Sequence, residues 1–145
     1  MLKPSDGPAF DEDAFPLQAV TGTVIAAGHA VFRSLGYGFL ESVYRRALVV
    51  ELRHRGVRVE QEVVYELFHL DEPIGAYNAD VIVDSRVIVE VQTGRALDPT
   101  APVQLLNYLC AARLSVRLVM YFGPKGAKAK HVVNTDFVRS VDRRT

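Results

Sequence analysis

Two acids, Asp80 and Glu90, bound a stretch that otherwise reads as core: Asn78-Ala79-Asp80-Val81-Ile82-Val83-Asp84-Ser85-Arg86-Val87-Ile88-Val89-Glu90-Val91-Gln92. The β-branched residues predict two short strands, with Asp84-Ser85-Arg86 as the tight turn between them. A hairpin folded about Ser85 sets Asp80 opposite Glu90, and side-chain alternation turns both to one side. Ile82 and Ile88 share that parity, so the acids sit at the rim of a partly apolar face. Carboxylates in such a place need a partner. Hard divalent ions prefer oxygen ligands, and two or three carboxylates on one cleft can hold Mg²⁺ or Mn²⁺ and activate water. The predicted ion position is surrounded by Asp80, Glu90 and the main-chain carbonyl of Val91, with Glu41 close by. The plainer alternative is a solvent-facing hairpin with acids on its polar side, since short Asp…Glu hairpins are common.

Glu41 belongs to Gly38-Phe39-Leu40-Glu41-Ser42-Val43-Tyr44, which opens a helix. Glu41 and Tyr44 are three apart and share a face. A carboxylate in the first turn complements the helix dipole; its functional reading is a third acid delivered to the Asp80–Glu90 cleft. Gln104 and Tyr108 are four apart on a later helix, where they could orient water or contact phosphate, or simply form its polar edge. His29, His54, His69 and His131 show no paired ligand spacing, and one cysteine, Cys110, makes a zinc site improbable. Gly123 to Gly126 lacks the spacing and the Ser/Thr of a phosphate loop.

The elements that must position these groups follow from periodicity. Residues 1–16 carry Pro4, Gly7 and Pro16 among acids and read as a disordered acidic arm. From Leu17, the residues Val20, Val24, Val31 and Phe32 recur at helical steps until Leu35-Gly36-Tyr37-Gly38 breaks the run. A second helix presents Leu40, Val43, Tyr44, Ala47 and Leu48 on one face and stops before Gly56. The period then becomes two: Val57, Val59, Val63, Tyr65 and Leu67 alternate with polar residues. Asp71-Glu72-Pro73 turns the chain into a strand from Gly75 to Val83, and Arg86 to Gln92 is the third. Thr100-Ala101-Pro102 starts a helix with Val103, Leu106, Leu109 and Cys110 on its apolar side. Val116 to Phe122 is a continuous apolar strand, as expected when both faces are buried. A basic, glycine-containing loop follows from Gly123 to Lys130, then a short strand from His131 to Val133. The order is α-α-β-β-β-α-β-β, in a single domain over 17–138 with a frayed tail over 139–145.

At 145 residues the chain fits one domain and buries a sizeable core without staples. The single cysteine excludes an internal disulfide and fits a reducing, cytoplasmic compartment. No basic segment followed by an apolar run opens the sequence, so no signal peptide is expected, and no apolar run reaches membrane-spanning length. The formal net charge is zero, yet the first 16 residues hold four acids against one lysine, leaving the remainder mildly basic. That balance permits nucleic-acid contact. Thirteen of the 17 basic residues are arginine, which suits bidentate contact to phosphate or carboxylate. An apolar fraction of 49% hints at surface buried between subunits, so a homo-oligomer is expected.

Taken together, Gly38-x-x-Glu41-x-x-Tyr44, Asp80, Glu90-x-Gln92 and Gln104-Leu105-Leu106-Asn107-Tyr108-Leu109 resemble the GxxExxY proteins, a branch of the PD-(D/E)XK nuclease-like superfamily. The resemblance covers roughly residues 18 to 135, with the motifs in the family's order. It implies an α/β, restriction-endonuclease-like fold with an αβββαβ core, a mixed central sheet flanked by helices, in a small bacterial-type protein. It implies that Asp80 and Glu90 are metal carboxylates for Mg²⁺ or Mn²⁺, that Glu41 is an added acid, and that Gln104 and Tyr108 are partners from the distal helix. DNA or RNA is the implied partner, with Arg95, Tyr108, Lys125, Lys128 and Lys130 as candidate contacts. One departure is sharp. The family usually has lysine two residues after the glutamate, and this chain has Gln92. A lysine there would stabilise the attacking hydroxide and the developing phosphorane charge; glutamine hydrogen-bonds but carries no charge. Arg95, three residues on, is a candidate substitute in space, though it cannot serve as a base. The expected function is a nuclease-like protein with catalysis weakened or lost. The alternatives are a non-enzymatic homo-oligomeric assembly or nucleic-acid-binding module, and an active Mg²⁺-dependent nuclease with a substituted third motif residue.

Overall fold

The computed structural model describes residues 9–97 and 116–133. Two helices, α1 (Ala9–Leu35) and α2 (Glu41–His54), precede three strands, β1 (Val59–His69), β2 (Glu72–Val83) and β3 (Val87–Thr93). After the segment outside the described residues come β4 (Val116–Gly123) and β5 (Gly126–Val133). The third helix expected from Thr100, with Gln104 and Tyr108, lies outside the described residues, as do residues 1–8 and the tail. The strands form one sheet in the order β1-β2-β3-β4-β5. Only β3 and β4 run parallel; the other neighbours are antiparallel. This is the mixed α/β architecture that the sequence predicts. Among the described residues no helix is long and apolar enough to cross a membrane.

The main core forms where the two helices meet the sheet. Val81, Val83, Val87, Val89 and Val91 alternate onto one side and pack with Val24, Ala27 and Val31 of α1 and with Tyr44, Leu48 and Leu52 of α2. Gly28 brings α1 close to β4, because a Cβ there would strike the end of the Met120 side chain. A smaller cluster gathers Tyr77, Ala79, Ile82 and Ile88.

Three expectations about the elements change. α1 begins at Ala9 instead of Leu17. On α2 the buried residues are Tyr44, Leu48, Val49 and Leu52, whereas Leu40 and Val43 are exposed. Leu40 is the N-cap residue, with extended backbone, and so stands outside the helical stripe. The basic loop from Gly123 to Lys130 is mostly strand: β4 and β5 close a hairpin through Gly123↔Gly126. Ala127 and Ala129 turn inward while Lys128 and Lys130 are exposed. Alanine is a weak apolar marker, which hid this alternation from the sequence pattern.

Candidate functional site

The hairpin that carries the acids is made by its turn. Asp84 and Ser85 both take positive φ, 53° and 56°, and the Arg86 N–H closes on the Val83 carbonyl at 3.1 Å. Pairing then runs Val83↔Val87, Ile82↔Ile88, Val81↔Val89 and stops. The next pair would be Asp80 and Glu90. From that point β2 continues only with β1, through Ala79↔Val63 and onward, while β3 continues only with β4, through Glu90↔Val119. On β1 the residue facing Asp80 is Glu62, which breaks the ladder with a φ of 54°. The sheet therefore opens between two strands at its acidic residues.

The opening is a cleft of about 380 Å³ lined by Glu41, Asp80, Glu90, Val91, Gln92, Thr93 and Ala96. Glu41, Asp80, Glu90, Val91 and Gln92, predicted from separate parts of the sequence, are thus brought to one lining. Asp80 and Glu90 each have a protein partner. Asp80 Oδ2 accepts the main-chain N–H of Val91 at 3.1 Å, and Oδ1 lies 3.5 Å from Arg45 Nη1. Glu90 Oε1 accepts the hydroxyl of Tyr77. Glu41 shares the lining of the cleft with Thr93. Desolvation raises the Glu41 pKa above the usual glutamate value; Asp80 repulsion adds to the rise, and Arg45 and the Thr93 main chain oppose it.

Arg45 and Tyr77 are the site residues that sequence reasoning missed. Arg45 is four residues after Glu41, the helical spacing that places a cation beside an acid, so its signal was present. Tyr77 is of opposite strand parity to Asp80, and nothing in the pattern announces its contact with Glu90.

Other predicted residues lie elsewhere. Arg95 is exposed in the bend after β3, and it does not line the cleft. That bend is held by Tyr121, whose hydroxyl donates to the Gly94 carbonyl at 2.5 Å. Thr93 donates to the Phe122 carbonyl at 2.7 Å. Lys125, in the β4–β5 turn, and Lys128 and Lys130, on β5, are exposed; β5 is two strands from Glu90 and three from Asp80 in the sheet order. Tyr44, the last residue of the helix signature, is not in the cleft. It is fully buried, stacks on Phe122 with centroids 4.5 Å apart, and donates to the Gly36 carbonyl at 2.5 Å. It latches the α1–α2 connection, which fixes where α2 starts and so where Glu41 stands.

The sequence model of the PD-(D/E)XK nuclease superfamily matches residues 18–133. The chain belongs to that superfamily. Its opened β2–β3 hairpin and mixed sheet are this chain's version of the superfamily's nuclease-like fold. No curated protein matches the chain. Among solved structures it is similar to one titled "Crystal structure of SSO0001", at 18% identity and a TM-score of 0.49. The match covers 70% of this chain and 55% of that one, so this chain spans about half the length of that protein.

Superfamily nucleases typically use divalent metal ions. In kind, the donors here fit such an ion: three carboxylates and a main-chain carbonyl position on one cleft are the hard oxygen ligands that Mg²⁺ or Mn²⁺ takes. In place, they do not yet converge. Among the described residues no group of three or more His, Cys, Asp and Glu is gathered closely enough to hold an ion.

Proposed function

We propose that this protein is a GxxExxY-type member of the superfamily whose phosphodiester-cleaving site is attenuated. The observation that carries the reading is the composition of the cleft: Asp80, Glu90 and Glu41 all line it, and the residue two after Glu90 that also lines it is the uncharged Gln92. Asp80, Glu90, the Val91 carbonyl and Glu41 are the groups that would hold Mg²⁺ or Mn²⁺. A bound ion would supply Lewis acidity and an activated water. The chain itself contributes the rest. Val91 N–H orients Asp80, Tyr77 orients Glu90, and Gln92 can hydrogen-bond a water or phosphate oxygen without neutralising charge.

Nucleic acid, DNA or RNA, is the partner proposed on the superfamily's chemistry. The exposed Lys125, Lys128 and Lys130 and Arg95 supply positive charge for its backbone, and a lone cysteine supports a cytoplasmic setting. Gln104 and Tyr108 are retained as proposed partners from the distal helix. A second reading, a homo-oligomeric assembly module, is favoured by one observation. Val64, Phe68, Leu70 and Ile74 are exposed on the β1–β2 hairpin beyond the reach of β3.

The test is cleavage and binding of single- and double-stranded DNA and RNA with Mg²⁺ or Mn²⁺, comparing native protein with Asp80→Ala. Weak or absent native cleavage with measurable binding supports attenuation. Robust native cleavage that Asp80→Ala removes overturns it in favour of an active enzyme with a substituted third motif residue. Neither cleavage nor binding favours the assembly reading.

A further inference from the structure

Arg45 stands out because it is a cation paired with one of the three acids that line the cleft, without itself lining it. It projects from α2 one turn after Glu41, and Nη1 lies 3.5 Å from Asp80 Oδ1. Both side chains are largely withdrawn from water, at 23% and 21% exposure. Asp80 Oδ2 is committed to the Val91 N–H, which leaves Oδ1 facing Arg45. Glu41, the next acid of the cleft, also feels the Arg45 charge.

We propose that Arg45 is the resident counter-cation of Asp80: its guanidinium faces the Oδ1 oxygen that a divalent ion in the cleft would need, so that the Arg45–Asp80 pair and ion binding exclude one another. This rests on the reading of the cleft as a carboxylate site given above and deepens it, by naming what competes with an ion for its aspartate. The physical reason is simple. An ion ligated by Asp80 would sit about 2.0–2.6 Å from its oxygen, with the guanidinium against the same oxygen. Two cations at that separation repel strongly, and little water intervenes to screen them. Arginine cannot escape by losing its proton; it can only swing away and give up the Asp80 pair. The same guanidinium supplies fixed positive charge close to the acids, although the position two after Glu90 has none.

The competing explanation is that Arg45 merely positions Asp80. The two predict opposite signs. If Arg45 only positions the carboxylate, removing it weakens ion binding. If it competes with the ion for that oxygen, removing it strengthens ion binding. The experiment is isothermal titration of Mn²⁺ into native protein, Arg45→Gln, Arg45→Met, Arg45→Lys and the double variant Arg45→Gln/Asp80→Asn, with melting temperature measured with and without Mn²⁺. Arg45→Met keeps the aliphatic stem and covers the case in which the glutamine variant folds poorly.

The expected result is Mn²⁺ affinity about tenfold tighter in Arg45→Gln and Arg45→Met than in native protein. Tenfold corresponds to about 1.4 kcal/mol of relieved repulsion. A larger Mn²⁺-induced rise in melting temperature should accompany it. Arg45→Lys should stay near native, and Asp80→Asn should erase the gain. Equal or weaker binding in both neutral variants overturns the proposal, as does a gain that survives Asp80→Asn or an absence of Mn²⁺ binding throughout. Failure to cleave nucleic acid in any variant would sink the phosphodiesterase reading without moving the titration, so the two can fail separately.

Discussion

The main-chain N–H of Val91 donates to the Asp80 carboxylate across 3.1 Å, at the level where β2 and β3 cease to pair. Had the ladder continued, Val91 would have turned that side of its backbone to β2. A side chain therefore stands in for a strand. The substitution lets the hairpin open without orphaning a donor, since buried backbone N–H groups are almost always paired. It also fixes the rotational state of Asp80, so one contact serves both the fold and the site.

From this follows a stability prediction. Val91 is essentially inaccessible to solvent, so Asp80→Ala should cost about 1–3 kcal/mol, the usual penalty for a buried donor left unpaired. Asp80→Asn, whose carbonyl oxygen still accepts, should cost clearly less. Urea denaturation of both variants in chelator-containing buffer checks the ordering; equal losses would mean that the Val91 contact contributes nothing.

Tyr44 supplies a second prediction. Its ring is fully buried against Phe122 and its hydroxyl reaches the Gly36 carbonyl at 2.5 Å. Tyr44→Phe should lose about 0.5–1.5 kcal/mol, the net worth of one hydrogen bond. Tyr44→Ala should lose about 3–5 kcal/mol through the cavity it leaves. Both belong to folding and not to ion or nucleic-acid affinity in the folded protein. A selective loss of Mn²⁺ binding in a fully folded Tyr44→Phe protein would show that the latch on Gly36 also holds Glu41 in place for the ion.

Much of this arrangement was legible in the sequence, and the reasons differ by residue. The hairpin about Ser85 could be read because β-branched runs on either side of a polar turn leave few other registers; the observed Ile82↔Ile88 pair is the one that folding predicts. Glu41 could be placed in the same cleft through its motif resemblance. The opening of the strands was not legible from periodicity. It depends on the long β1–β2 pairing drawing β2 away and on the irregular backbone at Glu62, neither of which leaves a local pattern. Arg45 was overlooked because an acid–arginine pair at helical spacing usually means a solvated face. Here the end of α2 abuts the open strands, which makes the same spacing part of a site.

The raised Glu41 pKa gives a pH dependence. Burial is its main cause, with Asp80 repulsion second. A group whose folded-state pKa is raised contributes stability that is fully present below the unfolded value and lost as pH rises through the folded value. Ionised Glu41 therefore works against the fold above the usual glutamate range. Glu41→Gln should be more stable than native protein at neutral pH, with the difference shrinking as pH falls below that range. Thermal melts across pH in the presence of chelator test this; a difference that grows on acidification contradicts it.

Association is a separate expectation. Phe68, Leu70 and Ile74 are 57%, 84% and 66% exposed near the tip of the β1–β2 hairpin, on a segment that carries Glu60, Glu62, Glu66, Asp71 and Glu72 and no Lys or Arg. An acidic, apolar arm is better suited to protein than to phosphate. The native chain should form at least a dimer, and Phe68→Ser with Leu70→Ser should weaken it. A monomeric mass by light scattering at micromolar concentration removes the expectation.

The last prediction concerns Gln92. It lines the cleft with the three carboxylates at the position where the GxxExxY resemblance calls for a lysine. The missing charge would count mainly in the transition state, and one preorganised electrostatic contact typically contributes about 10²–10³-fold in rate. Native protein should therefore cleave DNA and RNA slowly or not at all, and Gln92→Lys should raise the rate towards that factor. The gain has a competitor in Arg45, which places one cation against Asp80 already; a lysine at 92 would add a second. Gln92→Lys should consequently gain more in rate when Arg45 is also neutralised than when it is not. Asp80→Ala in either background should abolish the gain. Cleavage assays with Mg²⁺ and Mn²⁺ on native, Gln92→Lys, Gln92→Lys/Arg45→Gln and the corresponding Asp80→Ala proteins decide the matter. Equal rates in Gln92→Lys and native protein, with the fold intact by circular dichroism, would show that more than one charge separates this cleft from a working phosphodiesterase.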